Sequence, residues 1–269
     1  MPRLRTHPDA ALAAVCMLAA ASADAPKIRL NPVGYLPDAE KKATIVAARM
    51  EFAVVPDQGG PPGVEGAVSG PVRNRDTEED LYLADFSGVR KPGADQLEVP
   101  GVGRSSPFRV GKDVYRRPFV TVPRGMYFWR RGIAVQGTHD GQSFRHEACH
   151  TGDAWLGFVG GGHDRKDGTK GGYDAGDDNK YVANAAVTVG ALFRAWGDFG
   201  SRIKTVWLDI PESGGTTPDF LAELRWEMEW LLAMQTPDGS AYHKVSTKDF
   251  GGFILPEREE AERHFTPWT

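Results

Sequence analysis

Cysteine is scarce in this chain of 269 residues, which contains only Cys16 and Cys149. Cys16 falls in an N-terminal segment with the features of a removable leader, so the mature chain would keep one cysteine and could form no intrachain disulfide. Its stability must then come from packing of the apolar residues, which make up 41% of the sequence.

Strong charge of one sign and long apolar runs are also missing. The formal net charge is -4, and no basic stripe is present to neutralise phosphates, so the sequence predicts no nucleic-acid partner. The apolar run ALAAVCMLAA is shorter than the roughly 20 residues that a membrane-spanning helix needs. We therefore expect no membrane association once the leader is removed.

Residues 1–25 resemble an export signal. Arg3 and Arg5 precede the apolar run, and small residues at 21–25 offer a cleavage site, either Ala-Ser-Ala or Ala-Asp-Ala. This pattern predicts a secreted or periplasmic protein. A degraded leader in a cytosolic protein is the alternative.

The composition changes near residue 113. Residues 26–112 hold short alternating runs such as KKATIVAA, EFAVVP and LYLADFS between glycine and proline turns, which predicts a small β-sandwich. Residues 59–80 are rich in glycine, proline and charge and are predicted to form a long exposed loop.

Residues 113–269 are predicted to be helical. Apolar residues at spacings of three and four predict a helix over 182–199, buried over much of its circumference. A second helix is predicted from Thr217-Pro218 to the turn at 237–239, with glutamates such as Glu223 on its solvated face. PEREEAERHF predicts the start of a third.

The stretch GGYDAGDDNKYV at 171–182 places Asp174 and Asp177 three residues apart, separated only by alanine and glycine. A tight turn would bring both carboxylates to one side, open to a ligand. The alternative is that Asp177 or Asp178 caps the following helix, an interaction worth about 1 kcal/mol. A cap needs one aspartate, so the second favours a site.

Paired carboxylates can hydrolyse a glycosidic bond when one activates a water and an acid across the sugar protonates the leaving oxygen. In inverting enzymes those two groups stand roughly 6.5–9.5 Å apart, which is too far for aspartates in one tight turn. We therefore expect Asp174 and Asp177 to lie together on the water side of the sugar.

The stretch GGYDAGDDNKYV resembles the Asp-Ala-Gly-Asp motif of the family-nine glycoside hydrolases, mostly cellulases. RLNPVGYLPDAEKKATI resembles the immunoglobulin-like module found in one branch of that family, and ELRWEMEWLLAMQTPDGSAYHKVST resembles its catalytic domain. The resemblance implies a β-sandwich followed by part of an (α/α)6 barrel, with boundaries at 1–25, 26–112 and 113–269.

The resemblance also implies residue roles. Asp177 matches the general base and Asp174 its partner in positioning the water, while Tyr173 matches a residue that borders the sugar. Trp129 and Trp155 are candidates for stacking on glucose rings, with a place in the core as the alternative. Gly172 stands where the family usually has tryptophan, which predicts an altered neighbouring subsite.

Some members of this branch carry a structural zinc. Cys149 and His150 match one ligand pair, but Arg131 stands where the first cysteine is expected. One such pair cannot complete the four-ligand site that structural zinc prefers, so we predict no metal there. Calcium is implied by the family, and the sequence shows no loop for it.

The family's general acid, a glutamate close to the C-terminal end of the barrel, has no matching position before Thr269. The resemblance therefore predicts a truncated catalytic domain, with Glu257 or Glu259 as a substitute acid or, alternatively, as part of an exposed charge run. The implied function is an inverting endo-β-1,4-glucanase that binds β-glucan. The alternatives are a non-catalytic carbohydrate-binding fragment, a hydrolase of another β-linked glycan such as chitosan oligosaccharides, or a protein whose aspartates only cap a helix.

Overall fold

The computed structural model describes residues 26–48, 51–249, 252, 254–259 and 261–267. The chain divides into two compact units, residues 1–116 and 117–269. The export prediction for residues 1–25 falls outside the described residues. No helix in the described part of the chain is long and apolar enough to cross a membrane.

The first unit is built from antiparallel strands. They are β1 (Ile28–Arg29), β2 (Lys42–Ile45), β3 (Glu51–Pro56), β4 (Val64–Asn74), β5 (Glu79–Asp85), β6 (Gly93–Val99), β7 (Gly103–Arg104) and β8 (Phe108–Val110). They pair in the order β1-β2-β5-β4-β3-β6-β7, with β8 also on β6.

Strand β4 corrects the loop prediction for residues 59–80. It pairs with β3 through residues such as Val64 and Ala67, and with β5 through residues such as Val68 and Arg73, so it joins the two halves of the strand order. Most of its side chains are at least partly exposed, because backbone hydrogen bonds rather than apolar side chains hold it in place. A pattern of apolar residues could not reveal such a strand.

Alternation along the strands supplies the core of this unit. In β5 and just beyond it, Ala84 and Phe86 are buried while Asp85 is exposed, as the period of two predicts. The rings of Tyr35, Phe86 and Phe108 meet at centroid distances of 5.2–5.6 Å. These rings belong to one buried cluster that draws residues from both halves of the strand order.

The second unit combines helices with short strands. Its helices are α1 (Arg116–Phe128, which begins at the unit boundary), α2 (Val182–Ile203) and α3 (Asp219–Ala233), and its strands are β9 (Val135–His139), β10 (Gln142–His146), β11 (Lys180–Tyr181), β12 (Tyr242–Thr247) and β13 (Arg263–Pro267). β9 and β10 form a hairpin, and β11, β12 and β13 form an antiparallel sheet. The sequence predicted α2 and α3 and missed α1.

The predicted burial of the helices is only partly right. In α2, Val189 is buried but Val187 and Phe199 are more than half exposed, because the helix packs along one stripe against α3. In α3, Glu223 is 4% exposed, contrary to the expectation of a solvated glutamate. Its carboxylate is drawn inward by the buried guanidinium of Arg130, with Nη2 to Oε2 at 2.9 Å.

The predicted third helix is wrong. Residues 256–258 form a single 3₁₀ turn, and the chain then continues as β13, whose backbone pairs with β12. Phe265 on β13 is fully buried against Tyr242 of β12. Pairing with the preceding strand β12 outweighs the local helical preference of the glutamates.

Candidate active site

The segment 171–181 is anchored to the end of α1 by backbone hydrogen bonds. The Tyr173 N–H donates to the Trp129 carbonyl at 3.0 Å, and the Arg131 N–H donates to the Gly171 carbonyl at 2.9 Å. The turn that holds both aspartates is closed by the Asp174 N–H, which donates to the Asn179 carbonyl at 3.0 Å. The loop is therefore fixed at both ends before it enters β11 and α2.

Asp177 is half-buried and well supplied with donors. Tyr181 Oη donates to Asp177 Oδ2 at 2.9 Å, and Asn179 Nδ2 donates to the same oxygen at 3.1 Å. Burial opposes ionisation of this carboxyl, but the hydrogen bonds from Asn179 and Tyr181 outweigh it and hold the pKa of Asp177 below its ordinary value. Asp177 is thus kept as a carboxylate at neutral pH.

Asp174 is exposed and is held by one amide. Asn184 Nδ2 on the first turns of α2 donates to Asp174 Oδ1 at 2.8 Å. The Asp174 side chain faces solvent, so its second carboxylate oxygen can accept a hydrogen bond from a water or a hydroxyl group.

Neither aspartate caps the helix. The N-cap residue of α2 is Tyr181, and no side chain makes a capping hydrogen bond there. Asp178, the other candidate, is buried with a positive φ of 54°, and its carbonyl accepts a hydrogen bond from Arg131 Nη1 at 3.0 Å. The capping alternative is therefore wrong, and the paired carboxylates need another explanation.

The base of the loop rests on buried polar contacts from the β-sheet. The Asn179 Oδ1 atom accepts hydrogen bonds from the Thr247 N–H at 3.2 Å and from Arg263 Nη1 at 3.1 Å. Lys180 is fully buried and donates to the Lys170 carbonyl at 2.8 Å. These contacts fix the backbone on which Asp177 is carried.

A cavity of about 350 Å³ opens beside the loop, at the small end of the range of ligand pockets. Of the residues predicted from sequence, Tyr173, Asp174 and Trp129 line it. Asp177 is connected to it through Tyr181, which lines the cavity and donates to Asp177. Trp155 is not among the lining residues; its ring packs under the Arg165 guanidinium at 4.1 Å.

Sequence reasoning did not place several polar and aromatic lining residues of this cavity in the site, among them Trp226, Glu227 and Tyr181. Trp226 and Glu227 come from α3 and Tyr181 from β11. Burial, with a smaller contribution from the neighbouring Glu223, raises the pKa of Glu227 to about 7 against the opposing effect of Lys180. The only sequence signal was a glutamate beside a tryptophan on a helix, which is common on solvated faces.

Cys149 and His150 are already engaged with protein groups. Cys149 Sγ lies 2.7 Å from Tyr173 Oη, and His150 Nε2 lies 2.9 Å from Glu259 Oε2. The Arg131 guanidinium is buried 5.2 Å from the Tyr173 ring, where its charge would oppose a cation. Within the described ranges no group of three or more His, Cys, Asp or Glu residues could hold a metal ion, and the residues around Cys149 do not fit zinc.

Glu259 is not part of an exposed charge run. Its side chain is 7% exposed and bonds to both His150 and Arg263. These two partners commit the Glu259 carboxylate to a buried structural contact. The lining of the cavity includes neither Glu257 nor Glu259, so the geometry gives no support to either as a substitute acid.

Comparison with known proteins places these features in a family. Residues 115–267 match glycosyl hydrolase family 9, and residues 23–104 match the cellulase N-terminal ig-like domain. The chain is 48% identical to endoglucanase D of Acetivibrio thermocellus over 245 residues, covering 90% of this chain and 39% of that protein.

Two further proteins are similar to the chain over most of its length. A xyloglucan-specific endo-β-1,4-glucanase of Bacteroides ovatus is 32% identical over 88% of this chain and 41% of its own length. A crystal structure of a metagenome-derived glycoside hydrolase family 9 endoglucanase superposes with a TM-score of 0.82 at 33% identity, covering 89% of this chain and 46% of that one. The chain spans less than half the length of each of these relatives.

Proposed function

Since the chain belongs to glycosyl hydrolase family 9, with an N-terminal cellulase Ig-like domain, we propose that it acts as an endo-β-1,4-glucanase on β-glucan. The observation that carries this proposal is the state of the two aspartates. Asp177 is held ionised by donated hydrogen bonds, Asp174, three residues before it in the loop, lines an open cavity, and neither caps the helix that follows.

In the proposed reaction Asp177 is the general base. It takes a proton from a water that attacks the anomeric carbon, and Asp174, oriented by Asn184, holds that water in line. Attack from the face opposite the leaving group inverts the configuration, and an acid on the other face protonates the departing oxygen. We assign that acid to none of the carboxyl groups in the described part of the chain.

The cavity supplies the sugar-binding surface. Trp129, which is 48% exposed, and Tyr173 offer aromatic faces on which a pyranose ring can pack. The printed names of the relatives, endoglucanase D and a xyloglucan-specific endo-β-1,4-glucanase, support a β-1,4-glucan as the substrate class.

The domain organisation belongs to the same proposal. Residues 26–112 form an immunoglobulin-like β-sandwich, and residues 113–269 form part of an (α/α)6 barrel. The strand order with its single core cluster and the helices α1 to α3 support this assignment. Residues 1–25 direct export, to the periplasm or the medium.

The test is hydrolysis of mixed-linkage β-glucan by the wild-type chain and by Asp177→Asn, measured as new reducing ends. Removal of a general base typically costs about 10²–10⁴-fold in rate, so we expect a loss of that size. Asp198→Asn is the matched control, because Asp198 lies on α2 in an exposed pair with Arg194. Undiminished hydrolysis by Asp177→Asn would contradict the proposal.

A folded wild-type chain that binds cello-oligosaccharides without cleaving them would support the binding-fragment alternative instead. Tryptophan fluorescence reports binding independently of turnover, because Trp129 and Trp226 line the cavity. Cleavage of chitosan oligosaccharides with no cleavage of β-glucan would change the substrate class and leave the role of Asp177 intact.

A further inference from the structure

Glu227 is a carboxyl group in the cavity to which the proposed reaction gives no role. It lies on α3 and lines the same cavity as Asp174. The Gly172 backbone N–H favours the ionised form of its carboxylate, and a Cβ built at Gly172 would lie 3.5 Å from Glu227 Oε2, so the side chain meets the loop that carries both aspartates. A partly buried carboxyl fixed in this way is a preformed polar contact within a largely aromatic pocket.

Aromatic side chains surround this carboxyl. Trp226 is its neighbour on α3, Trp129 comes from the residue after α1, and Tyr173 from the loop; all line the cavity. Trp226 is itself held in place, because its Nε1 donates to the Gly171 carbonyl at 3.1 Å and the Arg130 guanidinium lies 4.7 Å from its ring. Aromatic faces around one hydrogen-bonding group suit a pyranose, which has apolar ring faces and polar edges.

Space beside the carboxyl depends on Gly172. A Cβ built at this position would lie 3.4 Å from the Trp129 carbonyl oxygen and 3.5 Å from Glu227 Oε2, both ordinary contact distances. A methyl group therefore fits, whereas a longer side chain would extend over the Glu227 carboxyl. The glycine leaves that carboxyl open to a ligand.

The charges around Glu227 do not neutralise the cavity. Lys180 on β11 favours the ionised form of Glu227, and it is itself fully buried. Arg130 is paired with both Glu223, with Nη2 to Oε2 at 2.9 Å, and Glu212, with Nη1 to Oε1 at 2.8 Å, so it adds no uncompensated positive charge. Burial raises the pKa of Glu223 to about 7 as well, against the opposing effect of Arg130. Asp174 adds a further negative charge at the mouth of the cavity.

The remaining titratable groups of the lining are the phenols of Tyr173 and Tyr181. Burial raises the pKa of both, to about 12 for Tyr181, so they stay uncharged at neutral pH. Because burial raises the pKa of Glu227 to about 7, its carboxyl is neutral in mild acid and negative in mild base. In either state it can hydrogen-bond a hydroxyl group, and in the second it repels an anion.

We propose that Glu227 is a specificity-determining residue of this site, which hydrogen-bonds a hydroxyl of a neutral pyranose and excludes sugars that carry a carboxylate. The inference rests on the proposed function, because the cavity is taken to hold a unit of the β-glucan chain. It deepens that function by naming the class of glycan preferred, neutral over uronic or carboxymethylated.

The test is binding of cellotetraose and of carboxymethylated cello-oligosaccharide, measured by calorimetry at pH 5.5 and pH 8.5. In the wild-type chain the ratio of the two affinities, cellotetraose over the carboxymethylated sugar, should increase by about tenfold at the higher pH. The reason is that the ionised Glu227 carboxylate repels the carboxylate of the sugar. Glu227→Gln keeps the size and the acceptor oxygen but not the charge, so its preference should be the same at both pH values. Glu229→Gln on the same helix is the control, because Glu229 pairs with Lys170 and Arg225 outside this cavity.

A second pair of variants tests the space beside the carboxyl. Gly172→Ala should bind cellotetraose as the wild type does, and Gly172→Leu should bind it at least about tenfold more weakly, because the leucine covers the Glu227 carboxyl. Circular dichroism confirms that each variant is folded.

The outcomes distinguish the role of Glu227 from the proposed function of the chain. Cellotetraose binding with the same pH-dependent preference in wild type and Glu227→Gln would overturn the role of Glu227 and leave the proposed function standing. Binding of neither sugar by the wild-type chain would overturn the proposed function, and the role of Glu227 with it.

Discussion

The hydroxyl group of Tyr181 donates a 2.9 Å hydrogen bond to Oδ2 of Asp177 while its ring lines the cavity that Asp174 borders. Tyr181 is also the last residue before α2, so the strand-to-helix junction fixes its position. One side chain thus links the proposed base to the proposed sugar-binding surface.

Tyr181→Phe should move the acid limb of the pH–rate profile to higher pH. Removing a hydrogen bond to a charged group costs about 1.5–3 kcal/mol, which is equivalent to raising the pKa of Asp177 by about one unit or more. The base then needs a higher pH to be ionised, so activity on β-glucan at pH 5 should fall more than activity at pH 7. Tyr242→Phe, on β12 and away from the cavity lining, should leave the profile unchanged.

Trp129→Ala should weaken binding of cello-oligosaccharides by about tenfold at little cost to stability. The ring is 48% exposed and lines the cavity, so its removal takes away a stacking surface and leaves the core intact. Trp155→Ala should leave the affinity unchanged, because Trp155 packs on Arg165 outside the lining. Equal losses in both variants, measured by calorimetry, would count against the cavity as the sugar site.

Breaking the buried pair of Arg130 and Glu223 should destabilise the chain strongly. Arg130→Met leaves the Glu223 carboxylate buried without its partner, which typically costs about 3–5 kcal/mol. The double variant Arg130→Met, Glu223→Met should recover much of that loss, because the buried Glu223 charge is removed as well and only the partly exposed Glu212 loses its partner. Urea unfolding of the three chains measures this, and equal midpoints for wild type and Arg130→Met would refute it.

Glu227 should make the stability of the chain fall as the pH rises. Its pKa is about 7 in the folded chain, against an ordinary value of 4.5, so the folded state keeps a proton that the unfolded state releases. That contribution is complete below about pH 4.5 and is lost as the pH rises through about 7, with a total on the order of 3 kcal/mol. Relative to Glu227→Gln, the wild-type melting temperature should therefore be higher at pH 5 than at pH 8.

Much of the helical part of the fold was predictable because its signals are local. The spacing of apolar residues predicted α2 over residues 182–199, and the helix runs to Ile203. Thr217-Pro218 marked the start of α3 to within two residues, with Pro218 as the N-cap. The predictions were wrong for β4 and β13, because these strands are held by backbone pairing with the neighbouring strands β3, β5 and β12 rather than by a regular pattern of apolar residues.

The candidate site shows the same division. Asp174, Asp177 and Tyr173 could be named from GGYDAGDDNKYV because a short motif holds them together. Glu227 comes from a helix about 50 residues later and meets the loop beside Gly172. Sequence periodicity places such a glutamate on a solvated face.

The sequence by itself determined the composition of the two units, the helices α2 and α3, and the motif that carries the paired aspartates, since each depends on residues close together in the chain. The tertiary structure alone decided that neither aspartate caps α2, that Trp129 reaches the cavity while Trp155 does not, and that Arg130 buries Glu223. The physical reason is that burial and charge pairing depend on neighbours brought together by folding, and these set the ionisation of Asp177 and Glu227.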